Sequence, residues 1–249
     1  MLKFLTDSID TYLEAWRLLL VLGFIVFAIL LFLTQFSTYV VAGAGFVRYS
    51  SLLNLDFDLV SMALLLVVSL LGLFCIAFLS VGATMVVKLR RSLDDHELFK
   101  FVTLFPRYLM RLTVWWIVLG AITFIVMLVS NALKAPSWIS ALLMLFIWAF
   151  FIFIPQSLVL KEKKFSSALK DSASYCMKKP LAVLFYYALS CFLLFMLVLV
   201  DVLLGQFFLS WLAAIINSAL LFIVFIPLLE IIKANLFVSR YKLLTLGLK

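Results

Sequence analysis

The lysines and arginines of this chain fall in four clusters, at 3–17, 88–111, 161–179 and 233–249, and long apolar runs fill the space between them. Only Arg48 and Lys134 stand apart. A bilayer sorts a polypeptide in this way, with apolar spans inside and basic loops on one face. The pattern therefore restricts the fold to an all-α polytopic membrane protein. Composition agrees: hydrophobic residues make up 67% of the 249 positions and charged residues 13%, against about 45–50% and 25% in soluble domains. So few charges cannot cover a soluble surface. The net charge of +8 does not indicate nucleic acid, because the basic residues flank apolar spans and form no separate basic domain.

Six transmembrane helices are expected, near 18–40, 59–87, 108–131, 137–160, 181–204 and 209–232. Each has about the 20 residues needed to cross, and each must be helical because hydrocarbon offers the backbone no other hydrogen-bond partner. The first is read as a retained span, although Ala42-Gly43-Ala44 looks like a signal-peptide cleavage site. Its apolar core is long, and Asp7, Asp10 and Glu14 precede it, where a signal peptide is positive. Threaded this way, eighteen of the twenty basic residues share one face. The positive-inside rule puts that face and both termini in the cytoplasm, and the expected location is the cell membrane.

The basic segments are themselves patterned. In 94–111, Leu98, Phe101, Val102, Phe105, Tyr108 and Leu109 alternate at steps of three and four with Asp94, Glu97, Lys100, Thr103, Arg107 and Arg111. That is an amphipathic helix, and Pro106 is expected to break or kink it before span three. Near the N-terminus, Leu5, Ile9, Tyr12, Leu13 and Trp16 oppose Asp7, Asp10, Glu14 and Arg17. A third, weaker copy sets Phe165, Ala168, Leu169, Ala173 and Cys176 against Lys163, Ser167, Lys170, Asp171, Ser174 and Lys178, and Pro180 ends it. Three cytoplasmic interfacial helices, one before each odd-numbered span, are the expectation. The even-numbered spans also echo one another. Phe150-Phe151-Ile152-Phe153-Ile154-Pro155 precedes Lys161, and Phe222-Ile223-Val224-Phe225-Ile226-Pro227 precedes Lys233, with an offset of 72 in both cases. A single domain, 1–249, built from helix-plus-hairpin units near 1–92, 93–164 and 165–249, accounts for both patterns.

Chemistry-bearing constellations are few. Asp94-Asp95-His96-Glu97 clusters metal-ligand types, but consecutive helical residues point apart, and Ser92 with Asp95 fits a helix start. No metal or other cofactor is expected. Cys75, Cys191 and Cys176 form no CxxC pair, so neither disulfide nor zinc is indicated, and Cys176 reads as a packing residue ahead of an acylation site. Glu230, one turn past Pro227 and just before Lys233, is the candidate rim acid, expected to reach the interface and pair with a basic neighbour. Asn217 and Ser218 are the candidate lining of a polar cavity. Ser69, Thr123 and Ser190 are expected to bond between helices. No ionisable residue falls near the middle of an expected span, which argues against a proton relay or an ion-coupled pump. GxSxG, HExxH and P-loop motifs are absent from the sequence, so no catalytic residue is assigned and an enzyme is not expected. The candidate functional residues are basic: Arg90, Arg91, Lys100, Arg107, Arg111, Lys163, Lys164, Lys178 and Lys179, expected contacts for anionic lipid head groups.

The stretch Val159-Leu160-Lys161-Glu162-Lys163-Lys164-Phe165-Ser166-Ser167-Ala168-Leu169-Lys170-Asp171-Ser172, followed by Lys178-Lys179-Pro180, resembles the mid-protein segment of six-helix membrane proteins of the YciC-like kind. Similar domains precede the catalytic part of some glycerophosphodiester phosphodiesterases. The resemblance implies a six-helix membrane domain and no catalytic residues here. Two functions follow as expectations. One is a non-enzymatic module that organises membrane lipids or partner proteins at the cytoplasmic face. The other is a permease subunit, since the layout also resembles the ABC-2 type of exporter, which would couple through 93–105 to a separate ATPase.

Overall fold

The computed structural model describes residues 2–33, 59–92, 97–134, 136–207 and 210–245, and all regular structure among them is helical. Arg48, Ala42-Gly43-Ala44 and Asp94-Asp95-His96 lie outside the described residues. Helix α1 (Leu2–Glu14) meets α2 (Trp16–Leu33) at a 77° bend. Two long helices follow, α3 (Leu59–Ser92) and α4 (Glu97–Ala132). Then come α5 (Ser137–Phe151), α6 (Ile154–Leu160), α7 (Phe165–Lys178) and α8 (Pro180–Phe207). The last run is α9 (Ser210–Leu220), a π segment (Leu221–Phe225) and α10 (Ile226–Thr245). Five stretches are long and apolar enough to cross a membrane: Ser69–Arg90, Phe101–Ser130, Leu142–Leu160, Pro180–Gln206 and Ile215–Val238. The bent α1–α2 pair makes up to six.

Helix α3 is the central post. Of its apolar window 61% is buried, against 17% for the peripheral α8. It pairs antiparallel with α4, so that Phe105 meets Phe78 edge-on at 5.1 Å while Gly120 sits against Leu73. Here the structure departs from expectation. The amphipathic segment 94–111 is not a separate interfacial helix, because α4 runs unbroken through Pro106. Pro106 and Val102, whose carbonyl loses its partner to the proline ring, both lie on the exposed side of the helix. The apolar stripe that was expected to face lipid instead packs on α3 through the buried Phe101, Phe105 and Tyr108.

The two late prolines each disrupt a span, and in both places side chains from another helix supply the missing hydrogen bonds. Pro155 sits in the first turn of α6, and α5 stops at Phe151, the residue whose carbonyl the proline would clash with. The carbonyls of Phe150 and Ala149 accept from Ser172 Oγ (2.6 Å) and Cys176 Sγ (2.9 Å) of α7, and Ser172 Oγ also accepts from the Phe153 N–H at 3.3 Å. Burial pushes the Cys176 thiol up to about 11, which suits packing better than acylation. Before Pro227 the chain widens into the π segment, and the carbonyl of Ile223, four residues back, accepts from the Tyr12 hydroxyl of α1 at 3.1 Å. Gly23 of α2 makes this possible. A Cβ there would lie 2.8 Å from Ile223 Cα and 2.9 Å from the Phe222 carbonyl oxygen, so only glycine lets the two backbones approach so closely.

Candidate functional site

Three of the four charge clusters meet at one end of the bundle, and ion pairs join them. Arg90 of α3 pairs with Glu14 of α1 at 2.7 Å and also donates to the Asp7 carbonyl and the Thr11 hydroxyl. Lys88, two residues earlier and half-buried, donates to Glu162 (2.6 Å), the Tyr108 hydroxyl (2.9 Å) and the Val159 carbonyl (3.1 Å). Lys161 and Lys163 share Asp171 of α7 at 2.7 and 2.8 Å. Glu162 adopts a left-handed backbone, φ 53°, a conformation that costs a non-glycine residue about 1–2 kcal/mol. The Lys88 pair joins α3 to the connection between α6 and α7.

Two of these carboxylates, Glu162 and Asp171, are tuned by their partners. The hydrogen bond from Lys88, with a further one from Tyr108, holds the Glu162 carboxyl below its ordinary value of 4.5. Partial burial would raise Asp171, but hydrogen bonds from Lys161 and Lys163 outweigh it and hold that carboxyl low as well. A depressed folded-state pKa contributes stability that is fully present above the unfolded value and is lost as pH falls through the folded one. The melting temperature of the purified protein is therefore expected to fall as the pH drops below about 4.5. Glu162→Gln should remove part of that fall. An identical acid limb in the variant would show that the pair does not tie α3 to the α6–α7 connection.

Several of the other basic residues stand apart from these pairs. Among the described residues, Arg107, Arg111, Lys164, Lys170, Lys178 and Lys179 have no carboxylate within 4.0 Å. Arg91 and Lys100 lie on α3 and α4 respectively. Arg111, Lys163 and Lys164 converge at the mouth of a groove of about 450 Å³ whose walls are Met110, Val114 and Val118 of α4 and Phe165 of α7, over a floor of Trp115 and Leu158. Met110, Val114 and Val118 are one exposed row of α4 at i, i+4 and i+8. Trp115 is 2% exposed and wedged between Phe151 (5.2 Å) and Phe165 (5.1 Å).

Glu230 does pair with a basic neighbour, Lys233 at 2.5 Å, and the pair is buried inside the bundle. It is 8% exposed and Lys233 is 4% exposed. Its other oxygen accepts from Ser80 of α3 (2.8 Å) and Gln156 of α6 (3.0 Å). Lys233 lies 5.9 Å from the centroid of the Tyr186 ring of α8. Four helices thus close over an ion pair. Both residues fall within the apolar stretch Ile215–Val238, and α10 continues past the expected span end at 232 to Thr245, so Lys233 belongs to the interior and not to a basic tail. A neutral, hydrogen-bonded pair can be buried where a lone charge cannot. Asn217 and Ser218 are half-buried on α9, just before the π segment, and Asn217 Oδ1 finds no partner among the described residues; the groove lies elsewhere. Ser190 donates to the Tyr186 carbonyl of its own helix, not to another helix.

Two parts of this arrangement went unmarked in the sequence. Ser80 and Gln156 lie 150 and 74 positions from Glu230, and no local pattern links them. The Met110–Val114–Val118 row beside Arg111 is the second, and its spacing of four is the signal that could have found it. Compared with known proteins, the chain matches no family model, no curated protein and no solved structure.

Proposed function

We propose that the protein is a non-enzymatic polytopic module whose charged end is its working surface, lies in the cytoplasm with both termini, and holds anionic lipid. The observation that carries this is the surplus of unpaired cations. The carboxylates Glu14, Glu162 and Asp171 are already taken by Arg90, Lys88, Lys161 and Lys163, while Arg111, Lys164, Lys170, Lys178 and Lys179 keep no carboxylate partner among the described residues. Each basic residue at an anionic leaflet contributes about 1 kcal/mol of attraction.

Helix α1 supports the same reading. Ser8, Thr11 and Tyr12 turn to the bundle, with Ser8 accepting from Asn235 at 3.1 Å. Ile9 and Leu13 are exposed on a second side, with Trp16 just past the helix end, and Asp7, Asp10 and Glu14 on a third. Bundle, lipid and water on three sides suits a helix lying in the membrane surface. α7 packs beside the Pro155 break as α1 does beside the Pro227 break, and the segment before span three is carried within α4.

Substituting glutamine for Lys163, Lys164, Lys178 and Lys179 together is expected to reduce the anionic lipid retained through native purification several-fold, with zwitterionic lipid unchanged, as read by lipid mass spectrometry. Equal retention by wild type and variant would sink the lipid-binding reading.

A further inference from the structure

We infer that the groove between α4 and α7 is a discrete site for one anionic glycerophospholipid, its phosphate held by Arg111 and Lys164 with Lys163 beside them, and one acyl chain laid along Met110, Val114 and Val118. This deepens the lipid reading above and rests on it. Charge complementarity sets the head-group class. Arg111 and Lys164 are both exposed with no ion-pair partner among the described residues, Lys163 is shared with Asp171, and no carboxylate lines the groove. A zwitterionic head would bring its own cation into that positive mouth.

The shape sets the rest of the ligand. From Met110 to Val118 the row runs eight residues along α4, about 12 Å at 1.5 Å per residue, which is the extended form of a chain and not of a free phosphate. The walls are exposed, Met110 at 69% and Val114 at 59%, whereas the floor residues Trp115 and Leu158 are buried. A chain can therefore settle on the surface of α4 against a fixed aromatic floor, with no opening of the bundle. Lys163, Lys164 and Phe165 come from the connection and first residue of α7, and the Lys88–Glu162 pair holds that connection in place. The head-group cations and the chain surface are thus positioned by different elements that meet at the groove.

The test is a titration of delipidated protein in detergent with dioleoyl phosphatidylglycerol or dioleoyl phosphatidylcholine, read by native mass spectrometry. Wild type should fill one phosphatidylglycerol site before any other and show no such site for phosphatidylcholine. Val114→Trp changes no charge and fills the groove from an exposed position, so the fold is kept; it should abolish that first site. Arg111→Gln and Lys164→Gln should each weaken it about fivefold. Glycerol 3-phosphate, which carries the head-group anion without a chain, should not displace the lipid at concentrations where short-chain phosphatidylglycerol does. Survival of the site in Val114→Trp, equal binding of phosphatidylcholine, or displacement by glycerol 3-phosphate would each overturn the groove as a lipid site. If the groove variant binds normally while the four-lysine variant still loses anionic lipid, the groove falls and the broader reading stands. If neither variant loses lipid, both fall.

Discussion

Glu230→Ala should be among the most damaging single substitutions in this protein, lowering stability by about 3–5 kcal/mol, the usual cost of removing one partner from a buried ion pair. The reason is what it leaves behind. Lys233 is 4% exposed and its ion partner is Glu230, so without the carboxylate a buried ammonium is left uncompensated. Ser80 and Gln156 lose their shared acceptor at the same time. Thermal unfolding of the detergent-solubilised protein, followed by tryptophan fluorescence, gives the comparison. The double variant Glu230→Gln with Lys233→Met should recover most of the loss, because a neutral acceptor remains for Ser80 and no charge is stranded. A single variant melting within a degree or two of wild type would mean that the pair is not the tie between these helices.

The second large effect is expected at Gly23. Alanine there puts a methyl 2.8 Å from Ile223 Cα and 2.9 Å from a carbonyl oxygen. Both are backbone atoms that cannot swing aside, so α2 must back away from the π segment. Overpacking of this kind costs about 1–3 kcal/mol. It should also stretch the Tyr12–Ile223 bond, which bridges the same segment. Gly72→Ala is the control: a Cβ at Gly72 meets nothing within 4 Å, and the better helix former should be neutral or stabilising by up to about 1 kcal/mol. The pair of melting curves separates close packing from loss of glycine as such. Equal behaviour of the two variants would refute the close approach at Gly23.

The spans were legible because lipid imposes a long-range rule on composition: an apolar run of the right length has one outcome. The breaks at Pro155 and Pro227 were legible for the same kind of reason, since a missing N–H acts locally. Pro106 shows the limit of that logic. It looks the same in sequence as the other two, yet α4 passes through it, because the carbonyl it orphans lies on the exposed side and the helix is held straight by Phe101 and Phe105 packing on α3. Glu230 shows another limit. Its proximity to Lys233 was visible at a spacing of three, but whether the pair faces water or the interior depends on which helices close over it. Ser80, Gln156 and Tyr186 decide that, and they come from three other helices. Arg111, Lys163 and Lys164 were marked as lipid contacts by charge alone. That Lys163 is shared with Asp171 while the other two are free emerged only from the packing.

The hydroxyl of Tyr12 and the carbonyl of Ile223 are separated by 211 positions, and this has a consequence for biosynthesis. A ribosome adding about 5–20 residues per second makes the donor roughly ten to forty seconds before its acceptor. Arg90 of α3, 76 to 83 positions after its partners on α1, can anchor that helix well before Ile223 is made, while the Tyr12 hydroxyl waits for a span that does not yet exist. Helix α1 is therefore fastened in two stages, first to α3 and last to the π segment. Premature capture of α1 by a chaperone or a fused tag would be felt as a defect in the final span, at the opposite end of the chain.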